Sequence, residues 1–137
     1  MTESEIKKVA IGYFEEAFVP GNKTAFEKYV AEDVVRNMHG KVIANGLTEL
    51  IEMNAGYHAN FTDWHCEIPD LVIQENKIAI RFKISATHVG EFHGIAGTNK
   101  RVVVRGTDIF HIRDNDGKII TQWAEADMWD LERQMRT

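Results

Sequence analysis

One cysteine, two prolines and no long basic run are the scarcities that first narrow this sequence. Cys66 alone cannot form an intramolecular disulfide or a thiolate zinc cage, so a reducing cytoplasm is the natural expectation. Lys100-Arg101 is only a pair, and the net charge is −5. An acidic chain repels phosphate backbones, which argues against nucleic acid as a partner. No stretch of about eighteen apolar residues occurs, so no membrane span is expected. Met1 to Ala10 is polar and lacks the apolar core of a secretory signal. No Gly-x-Gly-x-x-Gly, Walker loop, Gly-x-Ser-x-Gly or His-Glu-x-x-His occurs. Without a nucleotide cradle or nucleophile motif, carboxylate acid/base chemistry is what remains for an enzyme.

What is present is globular. Of 137 residues, 44% are hydrophobic and 27% charged, enough for a core and suited to one domain, 1–137. Helical periodicity comes first. Ile6, Val9, Ala10, Tyr13, Phe14 and Ala17 share a helix face, with Ser4 as N-cap and Pro20-Gly21 as the stop. Thr24 to Glu27 reads as a capping box opening a short helix through Val30. Asp33 to Met38 reads as a brief strand, and Leu47 to His58 marks a third helix. The second half turns to strands. Cys66 to Gln74 is extended, with Pro69 marking an edge or a bulge. Ile78, Ile80, Phe82 and Ile84 alternate with polar or small residues. Arg101–Ile112 and Lys118–Asp127 flank the turn Asp114-Asn-Asp-Gly117 as a long hairpin. Met128 to Met135 suits a short terminal helix. Helices followed by an antiparallel meander predict an α+β fold: a strongly curved, cone-shaped sheet with the N-terminal helices on its concave face and an apolar interior.

Several segments, taken in order, carry a resemblance. They are Asn60-Phe-Thr-Asp63, Ile68-Pro-Asp-Leu71, Lys77-Ile-Ala-Ile-Arg81, Thr87-His-Val-Gly-Glu-Phe-His-Gly94 and Asp116-Gly-Lys-Ile-Ile-Thr-Gln-Trp123. With them, nearly the whole chain resembles the SnoaL-like polyketide cyclases of the nuclear-transport-factor-two-like superfamily. The resemblance implies a homodimer and, in catalytic members, a metal-free intramolecular aldol condensation needing no cofactor. It implies a base in the Trp-x-x-x-Asp motif, here Trp123-Ala-Glu-Ala-Asp127, with His111 the nearest match to an accompanying histidine. Two segments depart from the family pattern. Ile95-Ala-Gly-Thr-Asn-Lys100 replaces a Pro-Thr-Gly step, and Leu131-Glu-Arg-Gln-Met-Arg136 replaces the usual terminus.

Each candidate has a second reading. Asp127, pointing into an apolar cavity beside Trp123, would gain basicity from burial, as the aspartate base of the related ketosteroid isomerase illustrates. It would otherwise cap the terminal helix, with Asp130 three residues on. His111 would orient Asp127 or donate to an enolate oxygen, or be a half-buried histidine paired to backbone. The Tyr13 hydroxyl would hold a substrate oxygen or simply pack in the core. Arg105, in phase with His111, would bind a carboxylate or enolate, or lie on the outer face. His88, Glu91 and His93 are legitimate ligand types, yet no metal is expected there. Phe92, Phe61, Trp64, Trp129 and the methionines read as pocket lining or core. Two functions follow. One is an enzyme moving a proton next to the carbonyl of a small apolar ligand. The other is a non-catalytic binding or dimerisation module of the same fold.

Overall fold

The computed structural model describes residues 1–137. Helix α1 (Glu3–Gly12) runs on into a π-helical stretch, Tyr13–Phe18, and is followed by α2 (Lys23–Tyr29). Two strands come next, β1 (Val30–Met38) and β2 (Lys41–Asn45), then α3 (Leu47–Asn60). The meander is β3 (Phe61–Gln74), β4 (Lys77–His88), β5 (Arg101–Ile112) and β6 (Ile119–Ala126), and α4 (Met128–Arg136) ends the chain. One six-stranded sheet has the order β2-β1-β6-β5-β4-β3 and is curved and unclosed. The α+β expectation and its long hairpin therefore hold.

Three local expectations change. Thr2 rather than Ser4 caps α1, its Oγ1 accepting from the Glu5 N–H at 3.1 Å. The capping box does not form, because α2 already begins at Lys23 and Thr24 Oγ1 donates to Asn22 Oδ1 at 2.9 Å. The sheet is not wholly antiparallel, since β1 pairs with β6 in parallel. The brief strand expected at Asp33–Met38 is nine residues long and turns back through His39 and Gly40, both at positive φ, into β2. That hairpin extends the sheet beyond β6. Pro69 sits where the β3–β4 register slips, on the edge strand, so the ladder loses no donor it needs.

The concave face holds the core. Even-numbered residues of β4 and β5, among them Ile78, Ile80, Phe110 and Ile112, meet Ile6, Tyr13, Phe14 and Phe26 from the helices. The end of the π-helical stretch is tied to α3, where Asn54 Nδ2 donates to the Phe18 carbonyl at 3.0 Å and His58 Nε2 lies 2.9 Å from it. Gly106 is the terminal residue of the β5–β6 ladder, opposite Ala126. A Cβ there would lie 2.3 Å from the Glu125 carbonyl oxygen and 2.7 Å from the Phe82 ring. Beyond Gly106 toward its start, β5 has no β6 partner. Gln134 of α4 takes that place, accepting from the Val103 N–H at 2.8 Å and donating to its carbonyl at 2.7 Å.

Candidate functional site

Between the concave face and the helices lies a half-open cavity of about 90 Å³. Eighteen residues line it, and sixteen of them are hydrophobic. The two exceptions are Arg36 and Asp108, so whatever polar chemistry the cavity performs centres on that pair. The aromatic walls come from Phe14 and Phe18 of the helical entry, Tyr57 of α3, and Phe61, Trp64 and Phe82 of the strands. Phe92, Met128 and Leu131 also line it, contributed by the loop after β4 and by α4. His93 Nδ1 lies 2.8 Å from Glu132 Oε1 and fastens that loop to α4.

The polar floor is built from three adjacent strands. Arg36 of β1 is paired with Gln122 of β6, and its Nη1 donates to Gln122 Oε1 at 2.8 Å. The same Nη1 stands 3.6 Å from Asp108 Oδ2 of β5. All three side chains are buried: Arg36 is 5% exposed, Asp108 3% and Gln122 0%. Asp108 Oδ1, Arg36 Nε and Gln122 Nε2 have no hydrogen-bond partner in the protein. Burial pushes the Asp108 carboxyl above its usual range, and the neighbouring Arg36 guanidinium opposes that rise. Arg36 stays protonated in this company, and its guanidinium carbon sits 5.9 Å from the Phe18 ring centroid. A carboxylate that lines an apolar chamber and is paired there with an arginine can accept a proton from a bound molecule.

The residues singled out from sequence lie elsewhere, with one exception. Phe92 is on the cavity wall, as are Phe61 and Trp64. Asp127 is exposed and caps α4, its Oδ1 accepting from the Asp130 N–H at 3.0 Å; it does not point into the cavity. The strand ends at Ala126, and the chain turns outward to start a helix whose free N–H groups take the carboxylate. Trp123 is 40% exposed on the outer face, where Lys77 Nζ lies 5.9 Å from its ring, and so does not wall the cavity. His111 faces the same way, opposite Lys77 and Thr121, in a shallow polar depression with Asp114 and Asn76. It is therefore not beside Asp127. Arg105 is exposed on that outer face too. Tyr13 is wholly buried behind the floor instead of lining the cavity. Burial lifts its pKa to about 12, and its hydroxyl lies near Gln122 without completing a hydrogen bond.

His88, Glu91 and His93 do not converge, and no three His, Cys, Asp or Glu side chains gather where they could hold a metal. His88 is buried, its Nδ1 3.0 Å from Thr98 Oγ1 and its ring stacked on Phe61. Trp129 is neither lining nor core, being 74% exposed. Sequence reasoning missed Arg36, Asp108, Gln122 and Tyr57. A signal for two of them was present. Asp108 is in phase with Val102, Val104, Phe110 and Ile112, and Arg36 with Val34 and Met38. A charged residue on the apolar phase of a strand is a buried charge, which calls for a partner.

A curved sheet, helices across its concave face and an apolar chamber floored by one buried ion pair define an α+β domain built around an interior cavity. The chain belongs to the SnoaL-like polyketide cyclase family, whose model matches residues 8–135. No curated protein sequence matches it significantly. Among solved structures it is similar to AclR from Streptomyces galilaeus, at 21% identity and TM-score 0.86, over 98% of each chain. TsrD from Streptomyces laurentii is similar at 21% identity and TM-score 0.85, over 98% of this chain and 97% of that one. A SnoaL-like polyketide cyclase from Agrobacterium tumefaciens is similar at 20% identity and TM-score 0.78, over 95% and 97%. At such identities these likenesses establish the fold.

Proposed function

We propose that the protein catalyses proton transfer at a carbon next to a carbonyl, on a small and largely apolar substrate. This is the step that aldol cyclisation and double-bond isomerisation share. The supporting observation is Asp108, a buried carboxylate on the lining of an otherwise apolar cavity, with one of its oxygens unpartnered. In this scheme Asp108 takes the proton, the C–H bond breaks, and its electron pair moves onto the carbonyl oxygen as an enolate. The enolate then attacks a second carbonyl carbon, whose oxygen takes the electron pair and receives the proton back from Asp108, or Asp108 returns the proton to a different carbon. Arg36 keeps Asp108 oriented and balances its charge. The family resemblance implies that no metal or organic cofactor takes part. Asp127 is the alternative base, placed by the family motif and lying just outside the cavity wall between Ala126 and Met128.

The test is proton–deuterium exchange at the α-carbon of a small aryl ketone, followed by NMR in deuterated buffer. Asp108→Asn should remove the catalysed exchange, a loss of about 10²–10⁴-fold, while Asp127→Asn retains it. The opposite result makes Asp127 the base. No exchange above buffer in the unaltered protein leaves a binding module. As a second element of the reading, two copies pair through the outer sheet face, where Val72, Ile109 and Trp123 are exposed. Sedimentation at micromolar concentration should show a dimer. The working compartment is the reducing cytoplasm, where Cys66 stays a thiol.

A further inference from the structure

Taking Asp108 as the base leaves one group unassigned: the donor that receives the negative charge developing on the substrate oxygen. We propose that this is the hydroxyl of Tyr57, delivered from α3 across the cavity from the sheet that carries Asp108, and that the preferred ligand is therefore a flat, mostly apolar molecule with one oxygen. The inference rests on the proton-transfer reading and adds a second catalytic residue to it.

The argument is one of elimination followed by geometry. The cavity wall holds four side chains with polar atoms: Arg36, Asp108, Trp64 and Tyr57. Arg36 Nη1 is engaged by Gln122 and Asp108, its unpartnered Nε has no accessible surface to offer a ligand, and Asp108 is an acceptor. The Trp64 indole N–H is committed to the Phe61 carbonyl at 2.8 Å. The Tyr57 hydroxyl is engaged by no hydrogen bond within the protein and feels Arg36 and Asp108 only as charges. A phenol with an idle O–H in an apolar chamber is a donor awaiting an acceptor. Its ring is fixed edge-on against Phe18, at 6.4 Å between centroids, and Phe92, at 6.1 Å. The hydroxyl is thus held in place before any ligand arrives, which is what charge stabilisation at a transition state requires. Burial raises the Tyr57 pKa further above its ordinary value, so the group stays a neutral donor throughout the neutral range. The electron balance is simple. Asp108 gains the proton, the oxygen gains the electron pair, and Tyr57 keeps its own proton while donating to that oxygen.

The probes are 2-naphthol and naphthalene, which share a flat apolar ring system and differ by one oxygen, with affinities read by fluorescence titration. The unaltered protein should prefer the naphthol. In Tyr57→Phe, which keeps the ring and its packing, naphthol affinity should fall about tenfold, equal to about 1.4 kcal/mol, with naphthalene affinity unchanged. The α-carbon exchange rate should fall about 10²-fold in kcat with little change in KM. Equal losses for both probes, or no loss for the naphthol, overturns the assignment. The binding readout does not involve Asp108. If exchange survives in Asp108→Asn while Tyr57→Phe still loses its naphthol preference, the base is wrong and the donor stands. If exchange is lost in Asp108→Asn and Tyr57→Phe binds naphthol normally, the base stands and the donor is wrong.

Discussion

The two faces of the β5–β6 hairpin are made from the same two strands, of twelve and eight residues, yet they differ in almost everything that matters for chemistry. The inner face presents Asp108, Phe110, Gln122 and Ala124, all buried. The outer face, one residue out of step, presents Arg105, Ile109, His111 and Trp123, exposed or half-exposed. In a strand, a shift of one position exchanges the faces. Charges on the outer face are solvated and contribute little beyond surface pairing. Charges on the inner face are desolvated, so each must be paired or neutralised, a carboxylate by gaining a proton, and its reactivity is set by the partner.

Arg36→Met should break this contrast most severely. It leaves Asp108 buried without its counter-charge, and unfolding should show a loss of about 3–5 kcal/mol. The penalty depends on pH in a defined sense. The folded protein holds the Asp108 proton more tightly than the unfolded chain, whose value is near 3.8. Stability from this group is therefore full below that value and declines as pH rises through the raised folded one. Arg36→Met should steepen the decline, so its destabilisation should be smaller in acid than at neutral pH, and Asp108→Asn should abolish that slope. Chemical denaturation across pH 4–8 measures both.

Ala124→Phe comes next. Ala124 lies opposite Asp108 on the neighbouring strand and on the cavity wall. Filling that space should cost about 1–3 kcal/mol of stability and weaken binding of naphthalene in the titration described above. The same enlargement at outward-facing Thr121 should leave ligand binding unchanged. Asp127→Ala should have the smallest effect, about 1 kcal/mol from the lost helix cap. Exchange activity should persist, checked by thermal unfolding alongside the NMR assay.

The architecture was legible wherever one residue pattern dominated. Ile78 to Ile84 alternates cleanly, and β4 falls where its pattern places it. The site was not legible, and the reason is visible in β5. Val102, Val103 and Val104 are consecutive, as are Ile109 and Phe110, and these odd-numbered apolar residues blur the even-numbered phase on which Asp108 stands. The Trp123-to-Asp127 motif lies on the odd phase of β6, whereas the even phase faces inward, Gln122 against Arg36 and Ala124 on the cavity wall. The parallel β1–β6 pairing was hidden for a different reason. It joins segments more than eighty positions apart, and nothing local in Val30–Met38 names its partner.

That pairing has a consequence for how the protein comes together in time. The four strands β3 to β6 follow one another through short connections or a single loop, so their contacts can form early and close at hand. The seam between β1 and β6 closes a loop spanning most of the chain, and loop entropy opposes it until many other contacts exist. Arg36 lies on one side of that seam, and Gln122 and Asp108 on the other. The ion pair at the cavity floor is therefore assembled among the last steps of folding. A chain with the meander formed and the seam open would have its secondary structure but an unaccompanied Asp108, and the slowest folding phases should report on the site rather than on the meander.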